Sequence, residues 1–286
     1  YAGLAFTAII YFLVMKGARG ASFMQPEWIL WMDENTEEIL IGVFAFWFVV
    51  FQSAIIFLRA NIFPFIILSG TFALAFAFAG NDLVNFVGVP VAALDSFHLF
   101  TAQPGADPEV MTMGGLRNIT HTPTLILAGS GVVMCLTLWF SKKAHRVIRT
   151  AVNLSSATRG GKEQFGSSLP ARVMVRSALR MNDVFHQIIP KSVFAALDTR
   201  FVKPRPKPGQ IELPFDELRA SVNLVLAAAL IASATSMKLP LSTTYVTFMV
   251  AMGSSLSDRA WDRESAVYRI SGVLTVITGW FLTAFS

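Results

Sequence analysis

Charge is scarce in this chain of 286 residues: Asp, Glu, Lys and Arg make up only 14% of it, against about 25% in soluble domains. Together with 54% hydrophobic residues and a mean hydropathy of +0.57, that scarcity excludes a water-soluble globule and identifies an integral membrane protein. Cysteine is almost absent. The single Cys135 cannot form an intrachain disulfide, and its place in an apolar run gives it a packing role. The four histidines, His98, His121, His145 and His186, are scattered without metal-ligand spacing, and no nucleophile–base or metal constellation accompanies them, so the chain does not read as an enzyme. The alternation of a membrane barrel is missing, so the long apolar runs must be helical, because lipid satisfies no exposed backbone group. Residue 1 is Tyr, with no basic segment before the first apolar run and no small-residue cleavage site after it; the expectation is an internal piece of a longer protein.

What is present is a series of apolar windows near the length of a crossing, about 20 residues for a hydrocarbon core of ~30 Å. They lie at 2–15, 39–58, 62–79, 86–100, 123–140, 221–238, 241–256 and 268–286. Asp33, Glu34, Glu37 and Glu38 precede the second window and read as an acidic helix N-terminus. The windows divide the chain into membrane helices over 1–140, a polar loop over 141–220, and further membrane helices over 221–286.

Between residues 141 and 220 there are 15 Lys and Arg against 6 Asp and Glu, so this stretch carries +9 while the whole chain carries +5. The run Lys142, Lys143, Arg146 and Arg149, directly after an apolar window, assigns the loop to the cytoplasm by the positive-inside rule. Its simplest use is topology and contact with anionic lipid. Nucleic-acid binding is excluded by the lack of a folded motif or interleaved aromatics. Within the loop, "SLPARVMVRSALRMNDVFHQIIP" sets Val173, Val175, Leu179 and Phe185 among Arg172, Arg176 and Arg180, which predicts an amphipathic helix at the inner membrane surface. The following "RFVKPRPKPGQ" reads as an extended linker.

Two apolar segments are too long for one crossing. Residues 62–100 would run ~58 Å as a single helix, about twice the hydrocarbon core, and the polar cluster Gly80, Asn81, Asp82 and Asn85 lies near their centre. Residues 221–256 would run ~54 Å, with "KLPLSTTY" at their centre. Both segments are predicted to break there, the second at Pro240. Discontinuous membrane helices offer N–H groups and positive dipole ends to anions and free carbonyls to cations. Asp82 costs roughly 2.5–3.5 kcal/mol at a membrane centre, so it marks an ion pathway or an internal pair. Its sign suits a cation or proton bound beside an anion. The plainer reading makes Asn81 or Asp82 the N-cap of a helix starting near Leu83, and Ser242, Thr243 and Thr244 capping or back-bonding residues.

"GNDLVNFVGVP" at 80–90 resembles the "GANDVANSIG" signature of the inorganic phosphate transporter (PiT) family. "LPLSTTYVTFMVAMG" at 239–253 resembles that family's "PVSTTHAIVGAIIG". The resemblance covers most of the chain, with these two stretches diagnostic. It implies two inverted repeats, each with one signature pair, moving phosphate with Na⁺ or H⁺. By position, it implies that Asn81 and Asn85 lie at the substrate and ion site, and that Asp82 is the cation ligand or coupling carboxylate, with Asn81 beside it. Ser242, Thr243 and Thr244 would then donate hydroxyl and N–H bonds to phosphate oxygens.

The chain departs from the family pattern at several positions: "GAND" reads "AGND", Phe86 stands where a small hydroxyl is common, and Tyr245 replaces a His after the Thr pair. One copy of each signature is present, which reads as the C-terminal repeat, half of a complete site. The expected protein is thus an all-α, polytopic membrane protein with interrupted or re-entrant helices, one half of an inverted-repeat transporter. Its function would be cation-coupled phosphate symport in the cell membrane. Its partners would be phosphate, Na⁺ or H⁺ and anionic lipid along 141–220; a homo-oligomer is compatible with this, and no cofactor beyond a bound Na⁺ is implied. Another tetrahedral oxyanion such as sulfate, or a receptor or scaffold acting through the 141–220 loop, are the alternatives. Arg259, Arg263 and Arg269 in "SDRAWDRESAVYR" are secondary candidates for gathering phosphate.

Overall fold

The computed structural model describes residues 1–20, 24–103, 107, 112, 114–117, 123–155, 166–188, 215–239, 241–256 and 264–286. Among these the chain is all helix, with no strand. Four helices are long and apolar enough to cross a membrane: Thr36–Leu58, Phe63–Thr101, Glu217–Ser236 and Ala266–Phe285. Ala2–Gly17 and Thr124–Phe140 are shorter apolar helices. The helices are α1 (Ala2–Ile10), α2 (Pro26–Glu34), α3 (Thr36–Leu58), α4 (Phe63–Thr101), α5 (Thr124–Phe140), α6 (Lys142–Leu154), α7 (Leu169–Ile188), α8 (Glu217–Ser236), α9 (Thr243–Leu256) and α10 (Glu264–Phe285). The chain forms two compact units, one of residues 1–149 and 224–246, the other of residues 150–223 and 247–286.

In the first unit, α1 runs on as a π-helical segment, Tyr11–Gly17, and packs on α3, α4 and α8. Its core joins Ala2, Ala5, Phe6 and Ile9 to Phe51 of α3, Ile66 and Ala73 of α4, and Val225 and Ala228 of α8. Phe6 anchors this core, with ring centroids 4.5 Å from Trp47, 5.1 Å from Phe51 and 5.2 Å from Phe65. Between α4 and α8 the contact is made by small residues, which lets two membrane helices gain dispersion contact that lipid cannot match. A Cβ on Gly70 would stand 3.0 Å from the Cβ of Leu224. Further along, Ala77 meets Ile231 and Ala232, with Leu241 and Val246 packed beside them.

The predicted break at residues 80–85 is absent: α4 is one continuous helix of 39 residues. Apolar length argues for a break only if all of it must lie in hydrocarbon. A helix of ~58 Å instead extends beyond the core at its ends, and its central polar side chains find partners on neighbouring helices without opening the backbone. Pro90 lies within α4, so the carbonyl one turn earlier forgoes its helical bond. No helix starts near Leu83, so neither Asn81 nor Asp82 is an N-cap.

The second predicted interruption is present, between α8 and α9. Lys238 takes a left-handed φ of 56°, while the N–H of Leu239 donates to Ala234 O at 2.9 Å and that of Lys238 to Thr235 O at 3.0 Å. This pair of bonds is a Schellman C-cap. It ends α8 before Pro240, which lies outside the described residues. Ser242 then caps α9, its Oγ accepting the N–H of Tyr245 at 3.3 Å.

In the second unit, the amphipathic segment of the loop forms α7. Its stripe Ala171, Val175 and Leu179 packs on Ala266, Val267, Ile270 and Leu274 of α10, and Arg172, Arg176 and Arg180 are exposed. Asp216 caps α8: its Oδ1 accepts the Arg219 N–H at 3.0 Å, and its own N–H donates to Ser155 O at 3.0 Å. The proline-rich linker, Arg259 and Arg263 lie outside the described residues. Cys135, expected to be packed, is exposed on α5.

Candidate functional site

Asp82 is the central residue of α4, and it faces the start of α9. The Thr243 hydroxyl donates to Asp82 Oδ2 at 2.8 Å, and Thr243 is only 3% exposed. One residue earlier, Asn81 Nδ2 donates to Thr235 Oγ1 at 3.2 Å. Asn81 Oδ1 is buried without a hydrogen-bond partner. Two interactions across sequence separations of 161 and 154 residues therefore tie the middle of α4 to both sides of the α8/α9 interruption. Under them lies an apolar floor of Ala77, Ile231, Ala232, Leu241 and Val246.

The start of α9 and the middle of α4 contribute different chemistries. The first turn of α9 carries the positive end of a helix dipole and N–H groups, which favours the Asp82 carboxylate now and would favour any anion admitted there. Asp82 and Asn81 Oδ1 offer oxygen acceptors, the ligand type of a hard cation. The Thr243 hydroxyl serves both sides, since it donates to the carboxylate here and could donate to an anion if the carboxylate were otherwise engaged.

The sequence-predicted residues separate into three groups. Asn81, Asp82 and Thr243 come together. Ser242 lies next to them but uses its hydroxyl as the N-cap of α9, the plainer of the two readings. Asn85, one turn beyond Asn81, and Thr244 are both exposed and take no part in these contacts. Two residues that no sequence signal singled out also matter. Thr235 sits in a hydroxyl-rich last turn of α8, with Ser233 and Ser236, directly before the break. Asp95 is, with Asp82, one of the only two acids in α4, and its Oδ2 is buried without a hydrogen-bond partner. Among the described residues no group of three or more His, Cys, Asp and Glu is placed to hold a metal ion.

Comparison with protein-family models, curated proteins and solved structures finds no match to this chain.

Proposed function

We propose that the protein is a secondary transporter that moves inorganic phosphate together with a cation, this chain supplying one of two inverted repeats. The observation that carries the reading is the 2.8 Å bond from Thr243 to Asp82, which joins the two stretches that resemble the PiT signatures. Four helices long and apolar enough to cross a membrane support a membrane location. The basic run Lys142, Lys143, Arg146 and Arg149 supports a cytoplasmic side for the 141–220 loop.

In this reading the pair works as an interlock. Without a cation, Asp82 holds the Thr243 hydroxyl and its negative charge repels phosphate from the N-terminus of α9. A cation bound by the carboxylate and Asn81 Oδ1 screens that charge and competes with the hydroxyl for the carboxylate oxygen. Thr243 then turns its donor to a phosphate oxygen, alongside the N–H groups of the first turn of α9. Each ligand therefore strengthens the binding of the other, by the same factor in both directions.

The test is radiolabelled phosphate uptake into proteoliposomes by the entire protein that carries this chain, under an inward Na⁺ gradient, under a proton gradient and with neither. Excess unlabelled sulfate is added in parallel. Cation-driven uptake that sulfate does not displace is the expected result. Displacement by sulfate would widen the substrate to tetrahedral oxyanions, and no uptake under either gradient would remove the reading.

A further inference from the structure

The pattern of the 141–220 loop marks α7 as its surface helix, but in the fold α7 uses its apolar stripe to pack on α10. α6 is the amphipathic helix whose stripe is left over. Its 13 residues, Lys142–Leu154, include four Lys and Arg, one His and no acid. At helical spacing Lys142, Lys143, His145, Arg146 and Arg149 fall on one half of the helix. Ala144, Ile148 and Val152 fall on the other, with apolar residues also at positions 147, 151 and 154. No apolar core cluster among the described residues includes a residue of α6, and Ile148 is 59% exposed. Lys142, Lys143 and Arg149 are exposed as well, and among the described residues no carboxylate forms an ion pair with them.

The attachment of α6 identifies what covers it. α5 ends at Phe140, Ser141 takes an extended ψ of 115°, and α6 begins at once, so it does not prolong the line of α5. Ser141 fixes this corner. Its N–H donates to Thr137 O at 2.9 Å, its Oγ accepts the Ala144 N–H at 3.3 Å, and its carbonyl accepts the His145 N–H at 3.2 Å. Trp139, just before the corner, is exposed, the placement of an aromatic at a membrane–water interface. At the far end, the carbonyl of Ser155, one residue beyond α6, accepts the N–H of Asp216, which caps α8. The 141–220 loop holds no apolar window, so α5 ends and α8 starts on the same side of the membrane. A helix of ~20 Å tied at both ends to that side runs along the bilayer surface, and an acid-free basic half there complements anionic headgroups.

We propose that α6 lies in the headgroup region of the bilayer and binds anionic lipid, its apolar half turned to the acyl chains and Lys142, Lys143 and Arg149 paired with lipid phosphates. The inference needs the membrane location of the chain and stands apart from the transport reading.

The test reconstitutes the entire protein in vesicles of phosphatidylcholine alone and of phosphatidylcholine with phosphatidylglycerol. A nitroxide is placed on a single cysteine, Ile148→Cys or Lys143→Cys, in a background without other cysteines. It reports collisions with oxygen, which concentrates in lipid, and with a water-soluble nickel chelate. With phosphatidylglycerol present, the label at position 148 should meet oxygen and escape the chelate, while the label at 143 meets the chelate. Lys142→Gln, Lys143→Gln and Arg149→Gln together should lower the docked-to-free ratio at position 148 by about fivefold per cation. Omitting phosphatidylglycerol or raising the salt should act in the same direction. Should the neutralised variant not fold, the lipid and salt comparisons on the protein labelled at 148 carry the test. Chelate access at 148 equal to that at 143 overturns the proposal. So does shielding of 148 from both reagents, which would put a protein surface over α6, and so does lipid burial that phosphatidylglycerol, salt and the three cations leave unchanged. None of these readouts involves phosphate, so a failure of the transport reading leaves the result standing.

Discussion

Thr243→Val keeps the shape of the side chain and removes the hydroxyl that meets Asp82 at 2.8 Å, so it isolates that contact. The loss leaves a charged acceptor short of one donor, worth about 1.5–3 kcal/mol, and phosphate uptake should lose about tenfold or more in apparent affinity. Asp82→Asn keeps an acceptor oxygen for Thr243 and removes the charge, so its effect should fall on cation dependence, with uptake no longer responding to the gradient. A double-mutant cycle of the two is expected to show a coupling of about 0.5–2 kcal/mol; additive effects would mean the contact carries no coupling. Ser242→Ala is the control, since Ser242 caps α9: it should cost about 1 kcal/mol of stability and leave the cation response intact. Asp82 and Thr243 were legible in the sequence because polar groups in an apolar run announce themselves by their cost. Thr235 was not, because a threonine in a membrane helix ordinarily bonds its own backbone, and only the fold shows that Asn81 reaches it.

The continuity of α4 makes a prediction opposite to that of a broken helix. A break at the polar cluster would need Gly80 for its backbone freedom, and a side chain there would damage it. In a continuous helix, Gly80 is an interior glycine, and a Cβ added to it would meet nothing within 4 Å. Gly80→Ala should therefore stabilise the protein by about 0.5–1 kcal/mol, read as a higher melting temperature with uptake retained. Gly70→Ala should do the reverse. Its Cβ would meet Leu224 at 3.0 Å, and prying α4 from α8 should cost about 1–3 kcal/mol. Apolar length revealed the two segments but could not decide their fate. The α8/α9 interruption is written in local backbone chemistry, a left-handed Lys238 followed by a Ser N-cap, which acts at short range. The polar side chains at the middle of the continuous α4 meet Thr235 and Thr243, more than 150 residues away, and no local signal carries that.

The charge distribution and the helix lengths together fix an expected topology for the first part of the chain. Glu37 and Glu38 occupy the first turn of α3, and Lys142 opens α6 directly after α5. Between them lie α3 with 23 residues, α4 with 39 and α5 with 17. The first two exceed the ~20 residues of a crossing, and α5 at ~26 Å falls only slightly short, a mismatch that local thinning of the bilayer absorbs at small cost. Three crossings is an odd number, so the acidic start of α3 and the basic start of α6 should lie on opposite sides of the membrane, with the basic side inward. Cys135→Ser removes the only thiol and leaves a clean background, since Cys135 is exposed on α5 and the change opens no cavity. Single cysteines at positions 37 and 142 can then be probed in intact cells with a membrane-impermeant maleimide. Position 37 should label and position 142 should label only after permeabilisation. Labelling of both from outside would mean that one of the three helices does not cross. Because α5 is the shortest, an added cysteine near Thr124 would show whether it lies along the surface, and the cytoplasmic assignment of the basic loop would have to be withdrawn with it.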